Sequence, residues 1–398
     1  MSGSGYIKSL DGLRAMAILL VLSLHTGVLH FGWIGVQLFF VLSGFLITGI
    51  LWKEKAREEP TWYKFKKFWV RRALRILPLY YGYLLVLGIT YLLFHFPDTY
   101  RTYMPWLFTY TYNFTRTLSE WTMDPSFAHL WSLAIEEQFY LFFPLILFLA
   151  PPKVVKGFMI AVIVLTPLSR FLIGQHYTDL GFKGETLSTI IYWNSFSHVD
   201  AFFIGGLIPV LALDRRIKKP WTLLFGCLAF ALVLGALNYF NHPDHSFYLV
   251  DLGYAFGQTT NFVYVWHYTV LNILFAATIL VLVSVHTQAQ PSALRRLWEN
   301  KWLVGIGKVS YGMYIYHWMI WFYLFEGVFK PVGVKWRLPL FIPYVILVYI
   351  VSTLSFKYFE SFFIGLKDRW YPAGGKGDKG GKKPPVQNPN LKTPLEYE

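Results

Sequence analysis

The chain contains little cysteine and little charge. Its single cysteine, Cys227, lies within an apolar run, so a disulfide within the chain is impossible and the paired Cys/His spacing of a metal site is absent. Charged residues make up only 15% of the 398 residues, whereas an ordinary soluble domain has about 25%. The single cysteine excludes a fold held together by disulfide bonds and predicts no metal cofactor. The low charge argues against a soluble protein.

Acidic residues are also scarce, since 22 Asp and Glu stand against 36 Lys and Arg, which gives a net charge of +14. The polar segments lack the alternation of basic and aromatic residues that is typical of single-stranded nucleic-acid binding, so we expect no nucleic-acid partner. No internal repeat of fixed period is visible, which disfavours a transporter built from inverted repeats.

Hydrophobic residues, by contrast, make up 55% of the chain. Apolar segments of about 20 residues, the length that spans a bilayer, lie near 10–29, 33–52, 73–96, 131–150, 155–174, 197–213, 221–240, 262–285, 302–325 and 338–360. We therefore predict an all-α polytopic membrane protein with about ten transmembrane helices. Residues 247–261 are predicted to form a short or re-entrant segment, or part of an additional helix.

Lysine and arginine are concentrated in alternate loops, at 53–72, 153–156, 215–219 and 295–301. Because cytoplasmic loops carry the excess of these residues, both termini are predicted to be cytoplasmic. Residues 1–366 are predicted to form the membrane domain, and the Gly-, Pro- and Lys-rich residues 367–398 a basic, disordered cytoplasmic tail. The loop at 97–130, rich in Tyr, Trp and Thr, fits an interfacial aromatic belt or a surface that stacks on carbohydrate.

Arg14 and His25 lie in the first apolar segment, and an ionisable residue inside a membrane span is a candidate functional residue. Eleven positions on a helix are close to three turns, so both side chains share a face about 16 Å apart. Arg14 can instead pair with Asp11, three residues earlier, or extend to the interface. His25 is a candidate general base, or a helix-end histidine without a catalytic role.

Two further groups of residues can carry chemistry. Arg71, Arg72 and Arg75 begin the third span, and their planar guanidinium groups suit phosphate recognition, although positive-inside anchoring explains them as well. Glu136 and Glu137 lie near the start of the fourth span, where one carboxylate can orient His25 or contact an acceptor hydroxyl, or form a structural pair with a basic residue.

The small Ser43 and Gly44 in the second span allow close approach of a helix or a ligand.

Taken together, these motifs resemble the membrane-bound acyltransferase 3 family, whose members acylate lipopolysaccharide O-antigens, Nod factors, other surface glycans and some macrolides. The resemblance covers about residues 5–366 and rests on LDGLRAMAILLVLSLH, FFVLSGFLI, RRALRILPLY, LWSLAIEEQFYL, VDAFFIG and SYGMYIYHW. It implies a multi-pass protein of the bacterial cytoplasmic (inner) membrane. It also implies transfer of an acyl group, often acetyl from acetyl-CoA, to a glycan hydroxyl or similar acceptor.

The resemblance also assigns site residues. The family's pattern of Arg, ten residues and His falls on Arg14 and His25, and its glutamate falls on Glu136. We therefore expect His25 and Glu136 to be catalytic. We expect the acyl-CoA donor to bind at Arg14, Arg71, Arg72 and Arg75. One departure is His198, where similar proteins commonly have arginine.

The mechanism expected from these residues is direct transfer, with His25 taking the proton of the acceptor hydroxyl as its oxygen attacks the thioester carbon. A covalent intermediate on His25 or Ser43 is the alternative route. The alternative function is a multi-pass transporter or flippase of a lipid-linked or small polar substrate, for which the intramembrane charges would form a pathway.

Overall fold

The computed structural model describes residues 6–94, 99–118, 121–241, 251–286, 292–327 and 333–371. Over these ranges the chain is helical and contains no strand. The α-helices of six residues or more are α1 Lys8–His25, α2 Ile34–Lys55, α3 Thr61–Phe94, α4 Thr99–Phe108, α5 Trp131–Leu149, α6 Pro152–Asp179, α7 Gly184–Trp193, α8 Val199–Val210, α9 Pro220–Phe240, α10 Val263–His286, α11 Ala293–Trp298, α12 Lys301–Lys308, α13 Ser310–Met319, α14 Val334–Ser355 and α15 Ser361–Trp370.

Seven helical stretches in the described part of the chain are long and apolar enough to cross a membrane, which makes this a multi-pass membrane protein. They are His30–Lys55, Thr61–Leu93, Ala128–Leu149, Pro152–Asp179, Pro220–Phe240, Thr260–His286 and Lys335–Trp370. The all-helical architecture is thus confirmed, while the number of ten spans and the cytoplasmic location of the termini stay predictions.

The three remaining predicted segments also form helices, but each differs from a simple apolar span. Helix α1 carries Lys8, Asp11 and Arg14 within its 18 residues. Helix α8 has only 12 residues, most of them buried. The segment at 302–325 is divided at Val309 into α12 and α13, and α13 continues as a π-helical stretch. Helices α1, α8 and α13 have many buried residues, whereas α12 is mostly exposed or half-buried.

Two other predictions concern loops and the tail. The described part of the segment predicted at 247–261 forms turns that end in a short 3-10 helix at Thr260–Phe262. Asn238 of α9 donates a 2.7 Å hydrogen bond to the Gly253 carbonyl oxygen of this segment. Residues 242–250 lie outside the described residues. Helix α15 continues to Trp370, four residues beyond the predicted domain boundary. The tail from residue 372 lies outside the described residues.

The aromatic loop between α3 and α5 folds inward in its described part. Tyr100, Tyr103 and Tyr112 are buried there. Gln138 of α5 donates to the Tyr110 carbonyl at 2.8 Å, which ties the loop to the helix bundle. Much of the aromatic content therefore packs against the protein itself.

Close backbone contacts hold α1 in the interior. A Cβ atom at Gly12 would overlap the carbonyl oxygen of Trp298 at the end of α11, and a Cβ atom at Gly307 of α12 would overlap the carbonyl oxygen of Asp11. Glycine at both positions lets α1 approach α11 and α12 at backbone distance.

Helices α2 and α8 meet in the same way. A Cβ atom at Gly44 would overlap the backbone of Phe202, and one at Gly205 would overlap the carbonyl oxygen of Val41. Gly44 therefore serves helix packing, as small residues commonly do in membranes, whereas its neighbour Ser43 faces a cavity.

A fully buried ion pair joins α6 to α8. Arg170 Nη2 lies 2.6 Å from Asp200 Oδ2, and both side chains have no exposed surface. Arg170 also donates to the carbonyl oxygens of Ser197 and Val265 and to the Thr269 hydroxyl. Because its partners come from both α8 and α10, this arginine fixes three helices, and loss of one member of such a pair costs about 3–5 kcal/mol.

His198 has a structural environment as well. Its Nε2 hydrogen bonds to the Tyr192 carbonyl oxygen, so Nε2 carries the proton and Nδ1 accepts from Gln37 at 2.9 Å. Both ring nitrogens of this buried histidine are thus satisfied. The departure from the family pattern falls on a residue that joins α8 to α2 and α7.

We expect Gly44→Ala to lower the free energy of unfolding by about 1–3 kcal/mol, because the new methyl group must displace the backbone of α8. The measurement is the midpoint of thermal unfolding in lipid nanodiscs. Gly157→Ala in α6 is the control, since nothing lies within 4 Å of its Cβ position, and it should be neutral or slightly stabilising. Equal midpoints for Gly44→Ala and the unmodified chain would contradict this packing.

Candidate functional site

A cavity of about 140 Å³ lies between α1, α2, α3, α5 and the α12–α13 region. Its apolar wall includes Phe39 and Phe40. The charged side chains that line it are Arg14, Arg72, Arg75, Lys308, Glu136 and Glu137. With four basic and two acidic groups, the cavity suits a ligand that carries several negative charges.

Arg14 both pairs with Asp11 and lines the cavity. Its Nη1 lies 2.6 Å from Asp11 Oδ1, and its side chain retains 27% exposure. Tyr6 donates a second hydrogen bond to the Asp11 carboxylate. Asp11 therefore holds Arg14 in place at the cavity wall, where guanidinium N–H groups not used by Asp11 are available for a ligand.

The structure separates the three arginines of α3. Arg72 and Arg75 line the cavity, and the Arg72 guanidinium carbon lies 5.5 Å from the ring centroid of Tyr140. Arg71 faces α15 instead, where its Nη1 lies 3.2 Å from Asp368 and also donates to the Tyr371 carbonyl oxygen. Arg72 and Arg75 thus share a site with Arg14, and Arg71 does not line it.

Glu136 belongs to this cavity. Ser43 and Tyr140 both donate hydrogen bonds to its Oε1 atom, and the Tyr140 hydroxyl oxygen lies 3.2 Å from Ser43 Oγ. The serine hydroxyl is thus held beside a carboxylate. Glu137, its neighbour in sequence, lines the same cavity.

His25 lies at the other end of α1 and is half-buried. Its ring centroid is 4.1 Å from that of Trp318 and 5.0 Å from that of His317, both in α13. The ring of His129, just before α5, lies 4.9 Å from that of His317. His25 is therefore part of an aromatic cluster with three histidines.

Glu136 and His25 lie at different depths in the bundle. Glu136 follows His129 by seven residues, which corresponds to about 10 Å along a helix, and its hydrogen bonds go to Ser43 and Tyr140. Tyr314 connects the two levels, because it lines the cavity and its ring centroid lies 5.4 Å from that of His317.

Sequence reasoning missed several residues of this site. Tyr140, Tyr314 and Lys308 line the cavity, and His317 and Trp318 contact His25. The signal available was the motif SYGMYIYHW, which places a histidine and a tryptophan inside an apolar segment. Among the described residues, no group of His, Cys, Asp and Glu is arranged to hold a metal ion.

Comparison with known proteins identifies the family. The acyltransferase 3 family, described as an acyltransferase domain, matches residues 7–357. The peptidoglycan O-acetyltransferase OatA of Listeria monocytogenes is 30% identical to the chain, covering 92% of it and 58% of the relative. The O-acetyltransferase OatA of Staphylococcus aureus strain NCTC 8325 is 26% identical, covering 89% of the chain and 57% of the relative.

A third relative, described as a candidate O-acetyltransferase of Staphylococcus aureus strain COL, is 29% identical over 90% of the chain and 57% of its own length. The chain thus spans a little over half the length of these relatives. No solved structure matches the chain. The family match, which runs from before Arg14 to beyond the His317 cluster, shows that this chain belongs to the acyltransferase 3 family.

Proposed function

We propose that this chain is a membrane O-acyltransferase that moves an acyl group, acetyl in the first instance, from acyl-CoA to a hydroxyl of a cell-envelope glycan. The observation that carries the proposal is the arrangement along α1, with a basic cavity at the Arg14 end and a half-buried histidine at the other end. Peptidoglycan is the first acceptor to test, because one relative is named for its acetylation.

The basic cavity is the proposed donor site. Coenzyme A carries several phosphate charges, and Arg14, Arg72, Arg75 and Lys308 surround the space in which they would bind. With the termini in the cytoplasm, this cavity opens towards the cytoplasmic supply of acyl-CoA. The pantetheine arm then extends along α1 and presents the thioester towards His25.

His25 is the proposed general base. It takes the proton of the acceptor hydroxyl while the oxygen bonds to the thioester carbon. The carbon–sulfur bond then breaks, and the leaving thiolate takes the proton from His25, which regenerates the neutral imidazole. In this reaction the acceptor approaches from the outer side of the membrane, at the end of α1 where His25 is half-buried.

Glu136 is proposed to position groups inside the cavity. Its hydrogen bonds with Ser43 and Tyr140 support a role in shaping the donor path rather than direct contact with His25. The same contacts make Ser43 the alternative nucleophile, because a serine beside a carboxylate can form an acyl-enzyme.

Replacing His25 tests the base assignment. We expect His25→Ala to lower the rate of label transfer from radioactive acetyl-CoA to peptidoglycan fragments by about 10²–10⁴-fold, the usual contribution of a general base. His30→Ala, an exposed histidine on the following turn, is the control and should transfer normally. Transfer that survives His25→Ala would reject the assignment. Absence of both acetyl-CoA binding and transfer in the unmodified chain would favour a transporter.

The adjacent arginines of α3 test the donor site. Arg72→Ala should raise the KM for acetyl-CoA by about 10-fold or more, since a charge-assisted hydrogen bond contributes about 1.5–3 kcal/mol. A smaller change is expected for Arg71→Ala, because its guanidinium pairs with Asp368, and no change for the exposed Arg215→Ala. A KM that is unaltered by Arg72→Ala would remove this residue from phosphate recognition.

Ser43→Ala distinguishes the two routes. Direct transfer predicts that this variant loses at most about 100-fold in rate, because the hydrogen bond from Ser43 to the Glu136 carboxylate contributes about 1.5–3 kcal/mol. It also predicts that acid-quenched unmodified protein carries no label after incubation with acetyl-CoA alone. Stoichiometric labelling that disappears in Ser43→Ala would establish the covalent route instead.

A further inference from the structure

Three histidines from separate parts of the chain meet at the His25 end of α1. His317 and His129 are almost completely buried, at 0% and 1% exposure. The His317 ring centroid lies 5.0 Å from that of His25 and 4.9 Å from that of His129. This cluster lies apart from the basic cavity, and the reaction proposed above uses only one of its members.

The hydrogen bond of His317 fixes its tautomer. Its Nδ1 lies 2.7 Å from the carbonyl oxygen of Tyr314, and because a carbonyl only accepts, Nδ1 carries the proton. The Nε2 atom is then a bare acceptor. It is buried and has no hydrogen-bond partner among the described residues.

His129 is arranged in the same way, but the donor and acceptor roles of its two ring nitrogens are reversed. Its Nε2 hydrogen bonds to the Ile315 carbonyl oxygen at 3.1 Å, which leaves Nδ1 as a buried acceptor without a partner in the described part of the chain. Its ring meets that of His317 nearly at right angles. His129 thereby restricts rotation of the His317 ring.

A buried acceptor without a donor is unfavourable, so the neighbourhood of His317 Nε2 indicates what should face it. His25 is an adjacent side chain that can donate an N–H group. A neutral imidazole has one N–H and one bare nitrogen. If the N–H is directed at His317, the bare nitrogen must face the other way.

We propose that His317 is a positioning residue that accepts a hydrogen bond at Nε2 from His25 and so holds the bare nitrogen of His25 towards the acceptor hydroxyl. The inference deepens the function proposed above and rests on it. The ring contact at 5.0 Å closes to a hydrogen bond by a small rotation of His25, as catalytic contacts commonly tighten when substrates bind. When His25 takes up the acceptor proton, the same hydrogen bond to His317 stabilises the imidazolium.

Trp318 supports this arrangement from the next position on α13. Its ring lies over the face of His25, with 4.1 Å between the centroids and 31° between the planes. An aromatic face both limits tilting of the imidazole and favours its protonated form. His317 and Trp318, neighbours on α13, thus both contact the His25 ring.

The test compares His317→Phe, which keeps the ring shape but has no acceptor, with His317→Gln, whose amide oxygen lies near the position of Nε2. His317→Phe should lower kcat by about 10- to 100-fold, the range for losing a partner that orients a metal-ligating histidine, because His317 orients His25 in the same way. Its KM for acetyl-CoA should stay within about twofold, because the donor site is separate, and His317→Gln should recover most of the lost kcat. Equal kcat for His317→Phe and the unmodified chain, or equal loss in both variants, would overturn the proposal.

The control is His267→Phe. His267 is also a buried helical histidine bonded to a backbone carbonyl, at 2.5 Å from Val263, but it lies in α10, where its ring contacts Trp33 and Tyr268 instead of His25. It should leave kcat unchanged for the folded protein. A fall in kcat equal to that of His317→Phe would show that loss of any buried imidazole suffices.

A second measurement does not depend on turnover. Side-chain ¹⁵N spectra of histidine-labelled protein in nanodiscs, with His25 assigned from its loss in His25→Gln, report the tautomer of His25 directly. One tautomer is expected in the unmodified chain and a mixture in His317→Phe. The same spectrum in both would overturn the role of His317, whereas a single tautomer without any acetyl transfer would count against the proposed function alone.

Discussion

Helix α1 carries charge into the interior of the bundle, and the rest of the site depends on how it is held there. A charged helix is unfavourable at a lipid-facing position. Gly12 and Gly307 allow its backbone to lie directly against that of α11 and α12, so the helix is enclosed by protein. Asp11 then pairs with Arg14. Arg14 and His25 therefore lie on a rigid, packed helix and not on a flexible loop.

The bundle contains two kinds of polar cluster. Arg170 and Asp200 are fully enclosed, and their hydrogen bonds go to neighbouring helices, so this pair joins helices. Arg72 and Arg75 instead border a cavity, and His317 has a buried nitrogen without a partner in the described chain. The first cluster thus joins helices, whereas the arginines of the cavity and the His317 nitrogen lie where substrates are proposed to bind.

Sequence reasoning succeeded where a relation is local. The shared face of Arg14 and His25 follows from the helix repeat, and the helical character of the ten segments follows from their apolar length. It was less complete where a contact joins distant parts of the chain. Arg71 and Arg72 are neighbours, yet Arg71 turns to Asp368, almost 300 residues later. The contact of His317 with His25 likewise depends on how α13 packs on α1, which no local pattern specifies.

The length of α1 has a consequence for proton movement. In the proposed reaction the hydroxyl proton is taken up at His25 on the outer side, and the same proton leaves on the coenzyme A thiol, which is released at the Arg14 end. The acyl group moves outward as this proton moves inward, and neither side of the membrane changes its charge, because thioester and thiol carry the same charge and hydroxyl and ester are both neutral. A membrane potential acts only on net charge that crosses, so it neither drives nor opposes the proposed reaction.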